Sequence, residues 1–160
     1  MRALRFLRSP WGVRLCAWVL GATFLAAALP KIIDPPGFAE TIHAYRLVPE
    51  AALAPLALVP PWLELALAVA LITGLARRSA ALLTFLLLAV FMAALAINLA
   101  RGNPVDCGCF GASSAVRSVA DRLRSMRLDL LRDGALMLLA LAVLTAPWER
   151  GHAEAAAPRP

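Results

Sequence analysis

Four apolar runs dominate this chain, at about residues 13–29, 51–73, 79–100 and 128–146. Each has, or nearly has, the roughly 20 residues an α-helix needs to cross a bilayer. In lipid every backbone N–H and C=O must be satisfied within the protein, which leaves helices as the form for runs of this length. Glu64 is charged and lies well inside a run, whereas Arg132 and Asp133 sit near the start of the fourth. With 61% hydrophobic and 16% charged residues, the chain is far more apolar than a soluble domain. The expectation is an all-α integral membrane four-helix bundle over residues 1–147, followed by a flexible tail over 148–160.

The net charge of +6 raises nucleic acid as a partner. The arginines argue against it, because they flank the apolar runs as topology signals and headgroup contacts do. No nucleic acid is expected; the lipid bilayer is. The start, "MRALRFLRSPWGVRLCAWVLGATFLAAALPK", has the basic head and small residues of a secretory leader. Its apolar part is long for a leader and three more runs follow, so an uncleaved first helix is expected.

Breakers divide the chain. Pro30 and then Pro35-Pro36 stop the first helix, and a short amphipathic turn is expected around 38–45. Pro55, Pro60 and Pro61 either kink the second helix or separate a short lead-in from a helix starting near Pro61. "GLARRS" leaves room for a tight turn only, so the second and third spans form an antiparallel hairpin. The third loop, 101–127, begins with "RGNPVDCGCFG", too rich in turn residues for a regular helix. It continues with Val116, Val119, Ala120, Leu123, Met126 and Leu130 at helical spacing, and arginines mostly on other faces. This predicts a basic amphipathic helix on the bilayer surface, leading into the fourth span.

Four spans bring the first and third loops to one side. Lys31, Asp34, Asn98, Arg101, Asp106, Cys107, Cys109, Arg132 and Asp133 all fall near that surface. Arg2, Arg5, Arg8 and Arg14, with Arg77 and Arg78 in the second loop, favour cytoplasmic termini. The expected location is a bacterial inner membrane, multi-pass, with the Cys-Gly-Cys loop periplasmic.

Cys107 and Cys109 can close a small, strained disulfide, with Gly108 freeing the backbone torsions such a ring requires. Strain raises the reduction potential, so the pair suits oxidation or shuffling of other thiols outside the cytosol. Arg101 favours a thiolate there and Asp106 opposes it. Other readings stay open: ordinary loop thiols, a static loop staple, or a copper(I) site on two soft thiolates. Zinc wants four ligands, and His43 and His152 are distant in sequence. Cys16, early in the first span, reads as a packing residue. Glu64 reads either as half of an ion pair with Lys31 or Arg132, or as a proton or quinone group. Lys31 and Asp34 also read as helix-end residues, and Asn98 as an interhelical hydrogen-bonding group.

The strings "LGATFLAAALPKIIDPPGFAETIHAYRLVP", "PPWLELALAVALITG", "NPVDCGCFG" and "LLRDGALMLLALAV" resemble the methylamine-utilisation MauE family, within the DoxX-like group of four-helix membrane proteins. The resemblance runs from about Leu20 to Val143 and is most specific in "DCGCFG" and in Lys31-x-x-Asp34-Pro35. It implies redox-associated maturation of a disulfide-rich periplasmic client, as for the small subunit of methylamine dehydrogenase, with a thioredoxin-like partner. The family motif falls on Asp106, Cys107, Gly108, Cys109, Phe110 and Gly111, with Lys31, Asp34, Glu64 and Arg132 at matching polar positions. The long basic segment between Ser113 and Met126 departs from the pattern.

The resulting expectation is a thiol–disulfide exchange component. Cys107 and Cys109 form the redox pair, Asp106, Gly108, Phe110 and Gly111 shape their loop, and Lys31, Asp34, Glu64 and Arg132 form a polar network beneath it. No cofactor is required, although a quinone between the helices is a sensible electron acceptor. The rival classes are a non-enzymatic membrane scaffold and a copper-handling membrane protein.

Overall fold

The computed structural model describes residues 9–105 and 118–146. The described residues form helices α1 (Pro10–Ile33), α2 (Pro35–Ala44), α3 (Leu53–Thr73), α4 (Arg77–Ala100) and α5 (Val119–Thr145), with a 3₁₀ turn at Glu50–Ala52 before α3. No strand occurs among them. Among the described residues, three helical stretches are long and apolar enough to cross a membrane: Pro10–Ile33, Glu50–Thr73 and Arg77–Ala100.

Local chemistry sets the helix ends. Ser9 caps α1 by accepting from the Gly12 amide at 3.1 Å, and Pro10 takes the first helical position, where a missing N–H does no harm. Pro30 does not stop α1, contrary to expectation; the helix runs through it to Ile33. Prolines are tolerated inside membrane helices because neighbouring groups re-satisfy the freed carbonyl. The stop comes at Asp34, which precedes Pro35 and is held out of the helical region at φ −127°, ψ 74°. α3 likewise continues through Pro60 and Pro61, so no separate lead-in ends there, and Glu64 lies well within the helix. The α3–α4 turn is tight, as expected. Gly74 closes α3 at φ 83°, its amide donating to the Ala70 carbonyl at 3.0 Å.

The amphipathic segment and the fourth span are not two elements. α5 is one helix of 27 residues, about 40 Å long, beginning at a Ser118 cap. Its buried residues, Met126, Asp133, Leu136, Ala140 and Val143, follow one another at three-, four- and seven-residue spacing. A single buried stripe thus runs through both parts and gives the chain no reason to break between them.

The long helices pack antiparallel in sequence order. α1 lies most extensively against α3, and α4 against α5, with α1 also touching α5 and α3 touching α4. Contact positions run in opposite directions along α1 and α3: Trp18 Nε1 donates to the Ile72 carbonyl at 3.2 Å, while Lys31 reaches Glu64. The seam is close at Gly21, where a Cβ would sit 2.6 Å from Ile72 Cγ1 and 3.0 Å from the Ala68 carbonyl oxygen. Small residues fill the core: Ala17, Ala28, Ala68, Ala81 and Ala140 are essentially inaccessible, as at helix contacts in lipid, where backbones approach closely. The outside carries the large side chains, with Leu131, Leu138, Val90 and Val59 each well over half exposed. An apolar coat around a small-residue interior suits lipid as the surrounding solvent. The arrangement is that of a multi-pass membrane protein.

Candidate functional site

Charged side chains gather where the helices meet below the loop end of the bundle. Lys31, from the last turns of α1, is 4% exposed, and Glu64 of α3 is 2% exposed. The ammonium donates to both carboxylate oxygens of Glu64, at 2.7 and 2.9 Å. It also lies over two aromatic faces, Phe38 of α2 at 5.0 Å and Phe91 of α4 at 5.3 Å. One cation therefore joins four helices. Such a pair is expensive to desolvate, and holds only because both charges are hydrogen-bonded and the rings add a cation–π contribution.

A second ion pair stands beside it on α5. The Arg132 guanidinium binds Asp133 Oδ1 through Nε at 3.0 Å and Nη2 at 2.9 Å, and binds Asp129 through Nη1 at 3.1 Å. Asp133 is itself buried, at 3% exposure. Lys31, Glu64, Arg132 and Asp133 line one side of a cavity whose other walls include Phe24, Leu88, Phe91 and Leu136. Its volume is ≈ 30 Å3 and its accessible lining is almost entirely apolar, because the charged groups turn their polar atoms toward one another.

Three of the four polar residues expected beneath the cysteine loop are thus brought together: Lys31, Glu64 and Arg132. Glu64 pairs with Lys31, the first of its two expected partners. Asp34 stands apart: it is exposed and caps α2, its Oδ1 accepting from the Gly37 amide at 3.0 Å. A carboxylate one residue before Pro-Pro-Gly is in place to cap the next helix, and that local demand claims it. Asp133 is the member that sequence reasoning left out of the network. Its signal was available, since it falls seven residues after Met126 and seven before Ala140, on the buried stripe of α5.

Asp106, Cys107, Gly108, Cys109, Phe110 and Gly111 lie outside the described residues, but the chain leading to them is described. Val105 is 4% exposed and packs with Leu95 of α4 and Met126 of α5. Leu95 is one turn from Phe91, and Met126 is two turns, about 10 Å, from Asp133. The described chain therefore reaches Val105 in the α4–α5 seam, on the loop side of the buried charges. Asn98 does not bond across helices: its Nδ2 donates to the Ala94 carbonyl of its own helix at 3.0 Å, and its Oδ1 accepts from Asn103. Cys16, a free thiol, is buried in the α1 core among Val13, Ala17 and Leu20, as a packing residue would be.

The family model described as "Methylamine utilisation protein MauE" matches residues 9–146, which takes in every helix and the whole cysteine loop. The chain belongs to the MauE family. Among curated MauE relatives, the methylamine utilization protein MauE of Methylophilus methylotrophus is 36% identical over 125 residues, 78% of this chain and 63% of that protein. The one from Paracoccus denitrificans is 38% identical over 136 residues, 84% of this chain and 68% of that protein. The MauE protein of Methylorubrum extorquens is 41% identical over 86 residues, covering 53% and 46% respectively. The chain thus spans about half to two thirds of the MauE relatives it matches. No solved structure matches it significantly.

Proposed function

We propose that this MauE-family protein is a four-span inner-membrane component of methylamine utilisation or a related pathway, in which Cys107 and Cys109 exchange disulfides with an extracytoplasmic protein. The observation that carries the reading is the stem of the cysteine loop. In a chain with three cysteines, two stand one residue apart, and they follow, after Asp106, a residue buried between α4 and α5, about two helical turns from a cluster of buried charges. Ionisable groups inside a membrane bundle are kept for function more often than for stability. α5 supplies the fourth span, Arg132 and Asp133 neutralising each other within it.

In the exchange, a thiolate attacks one sulfur of a partner disulfide, a mixed disulfide forms, and the partner's other sulfur leaves as a thiolate. The second cysteine then attacks the mixed disulfide, closing the Cys107–Cys109 bond and releasing the partner as a dithiol; two electrons pass to the partner, and the reverse sequence oxidises a client. The partners that fit are a thioredoxin-like protein and a disulfide-rich client, with a quinone as a membrane-soluble acceptor that would renew the disulfide.

The test is to trap the mixed disulfide. Asp106, next to Cys107 in sequence, disfavours a thiolate there, so Cys109 is taken as the attacking thiol. Cys107→Ser, lacking the resolving thiol, then accumulates a covalent partner adduct, and Cys109→Ser forms none; mass spectrometry names the partner. Full client maturation by the double serine variant refutes the exchange reading and leaves a scaffold.

A further inference from the structure

The stripe of α5 that includes Met126, Asp133, Leu136 and Ala140 is buried against the other helices. At about 100° per residue, Arg124, Arg127, Leu131 and Leu138 fall together on the opposite side of the helix. Leu131 is 72% exposed, Leu138 is 68% exposed, and both arginines are exposed. One outward face therefore changes from leucine to arginine within about a single turn. Such a change marks the edge of the hydrocarbon, where a long cationic side chain reaches the headgroups.

The depth of the two arginines agrees. Met126 packs in one cluster with Leu95 of α4, so Arg127 stands level with Leu95. From Leu95 back to Arg78, at the far end of α4, the helix rises about 25 Å. Arg124 lies about 4.5 Å further out, which brings the separation to the roughly 30 Å of a bilayer's hydrocarbon core. With Arg77 and Arg78 at one membrane surface, Arg127 and Arg124 reach the other. The basic segment expected to lie flat on the bilayer instead stands upright as the first turns of α5, beside α4.

The protein itself leaves these two charges uncompensated. Asp121 accepts from the Ser118 hydroxyl at 2.6 Å, and Asp129 and Asp133 are bound by Arg132. Among the described residues no acid pairs with Arg124 or Arg127. Residues three apart on a helix are neighbours, so two like charges there repel unless an anion stands between them. In the proposed orientation both lie on the outer side, where topology signalling calls for no arginine. A phosphate answers this arrangement, since its oxygens accept the paired N–H groups of a guanidinium.

We propose that Arg124 and Arg127 form a headgroup site for an anionic phospholipid in the leaflet on the loop side, its acyl chains lying along Leu128, Leu131 and Leu138. A zwitterionic lipid fits less well, because its own cation stands beside the phosphate and competes with the guanidinium groups. The site is independent of whether the cysteine pair exchanges disulfides.

The experiment titrates phosphatidylglycerol or phosphatidylcholine into the purified full-length protein in neutral detergent micelles. It follows the melting temperature, and native mass spectrometry counts the lipids retained. The wild type half-saturates at about 25-fold less phosphatidylglycerol than Arg124→Gln/Arg127→Gln, about fivefold for each arginine. Each single variant shifts by about fivefold, and the wild type retains one more phosphatidylglycerol than the double variant. Arg124→Lys/Arg127→Lys, which keeps the charge and loses the planar fork, retains part of the preference. Equal half-saturation of the wild type by the two lipids overturns the proposal, as does a preference that survives the double glutamine variant. Inorganic phosphate that reproduces the shift at the same concentration also overturns it, because the site then needs no acyl chains.

Discussion

Removing one partner of the Lys31–Glu64 pair tests how the bundle is held at its charged centre. In Glu64→Leu the ammonium stays 4% exposed and loses two hydrogen bonds of 2.7 and 2.9 Å. Breaking a buried pair in this way costs about 3–5 kcal/mol, because one charge is left uncompensated. At about 2–4 °C per kcal/mol for a chain of this size, the melting temperature falls by roughly 6–20 °C. Lys31→Met is expected to lose the same term and, in addition, two desolvated cation–π contacts, of up to about 2 kcal/mol each. The double variant Lys31→Met/Glu64→Leu leaves no buried charge behind at this pair. Replacement of a buried ion pair by apolar groups is often neutral or stabilising, so the double variant regains most of the loss. The assay is thermal or SDS unfolding in detergent micelles, analysed as a double-mutant cycle. A coupling below about 1 kcal/mol, with both single variants near wild type, would refute the argument that the pair is dry and mutually compensated.

Gly21→Ala places a methyl 2.6 Å from Ile72 Cγ1 and 3.0 Å from the Ala68 carbonyl oxygen, so the α1–α3 seam opens at a cost of about 1–3 kcal/mol. Adding Ile72→Ala restores only part of that loss in the same unfolding assay, since the backbone oxygen remains. Asp34→Ala removes the cap of α2 and costs about 1 kcal/mol; Asp34→Asn, which keeps an acceptor oxygen, costs less, and equal losses would show that charge and not capping is the role. After mild reduction of intact cells, a membrane-impermeant maleimide labels Cys107 and Cys109 and spares Cys16, which is 4% exposed. Labelling of the pair only after lysis would reverse the proposed orientation.

The first three apolar runs were legible because spanning is a property of a local stretch: length and composition decide it before any neighbour arrives. The same holds for the α3–α4 hairpin, where Gly74 and two arginines interrupt two apolar runs, and for the presence of a charge at Glu64. The helix ends were only partly legible. Pro30, Pro60 and Pro61 act as breakers in water, but a packed bundle tolerates them, so α1 and α3 run on. The continuity of α5 was hidden for a similar reason, since the change from basic to apolar surface is a change of exposed faces and the buried stripe beneath it does not change.

What only the tertiary structure decided was partnership. Glu64 binds Lys31 because α1 and α3 cross closely at Gly21 and present those two positions to each other, a matter of helix rotation that no spacing within either helix records. Asp34 left the polar network because the first turn of α2 claimed its carboxylate. Asp133 entered it because the rotation of α5 turned that residue inward. Asn103 joins α4 to α2 across 59 residues, and its neighbours in sequence predict only a turn. Hydrophobicity adds up along a chain and can be read one residue at a time. Hydrogen bonds and ion pairs in a dry interior depend on angstrom-scale approach between distant segments, which exists only after the helices have packed.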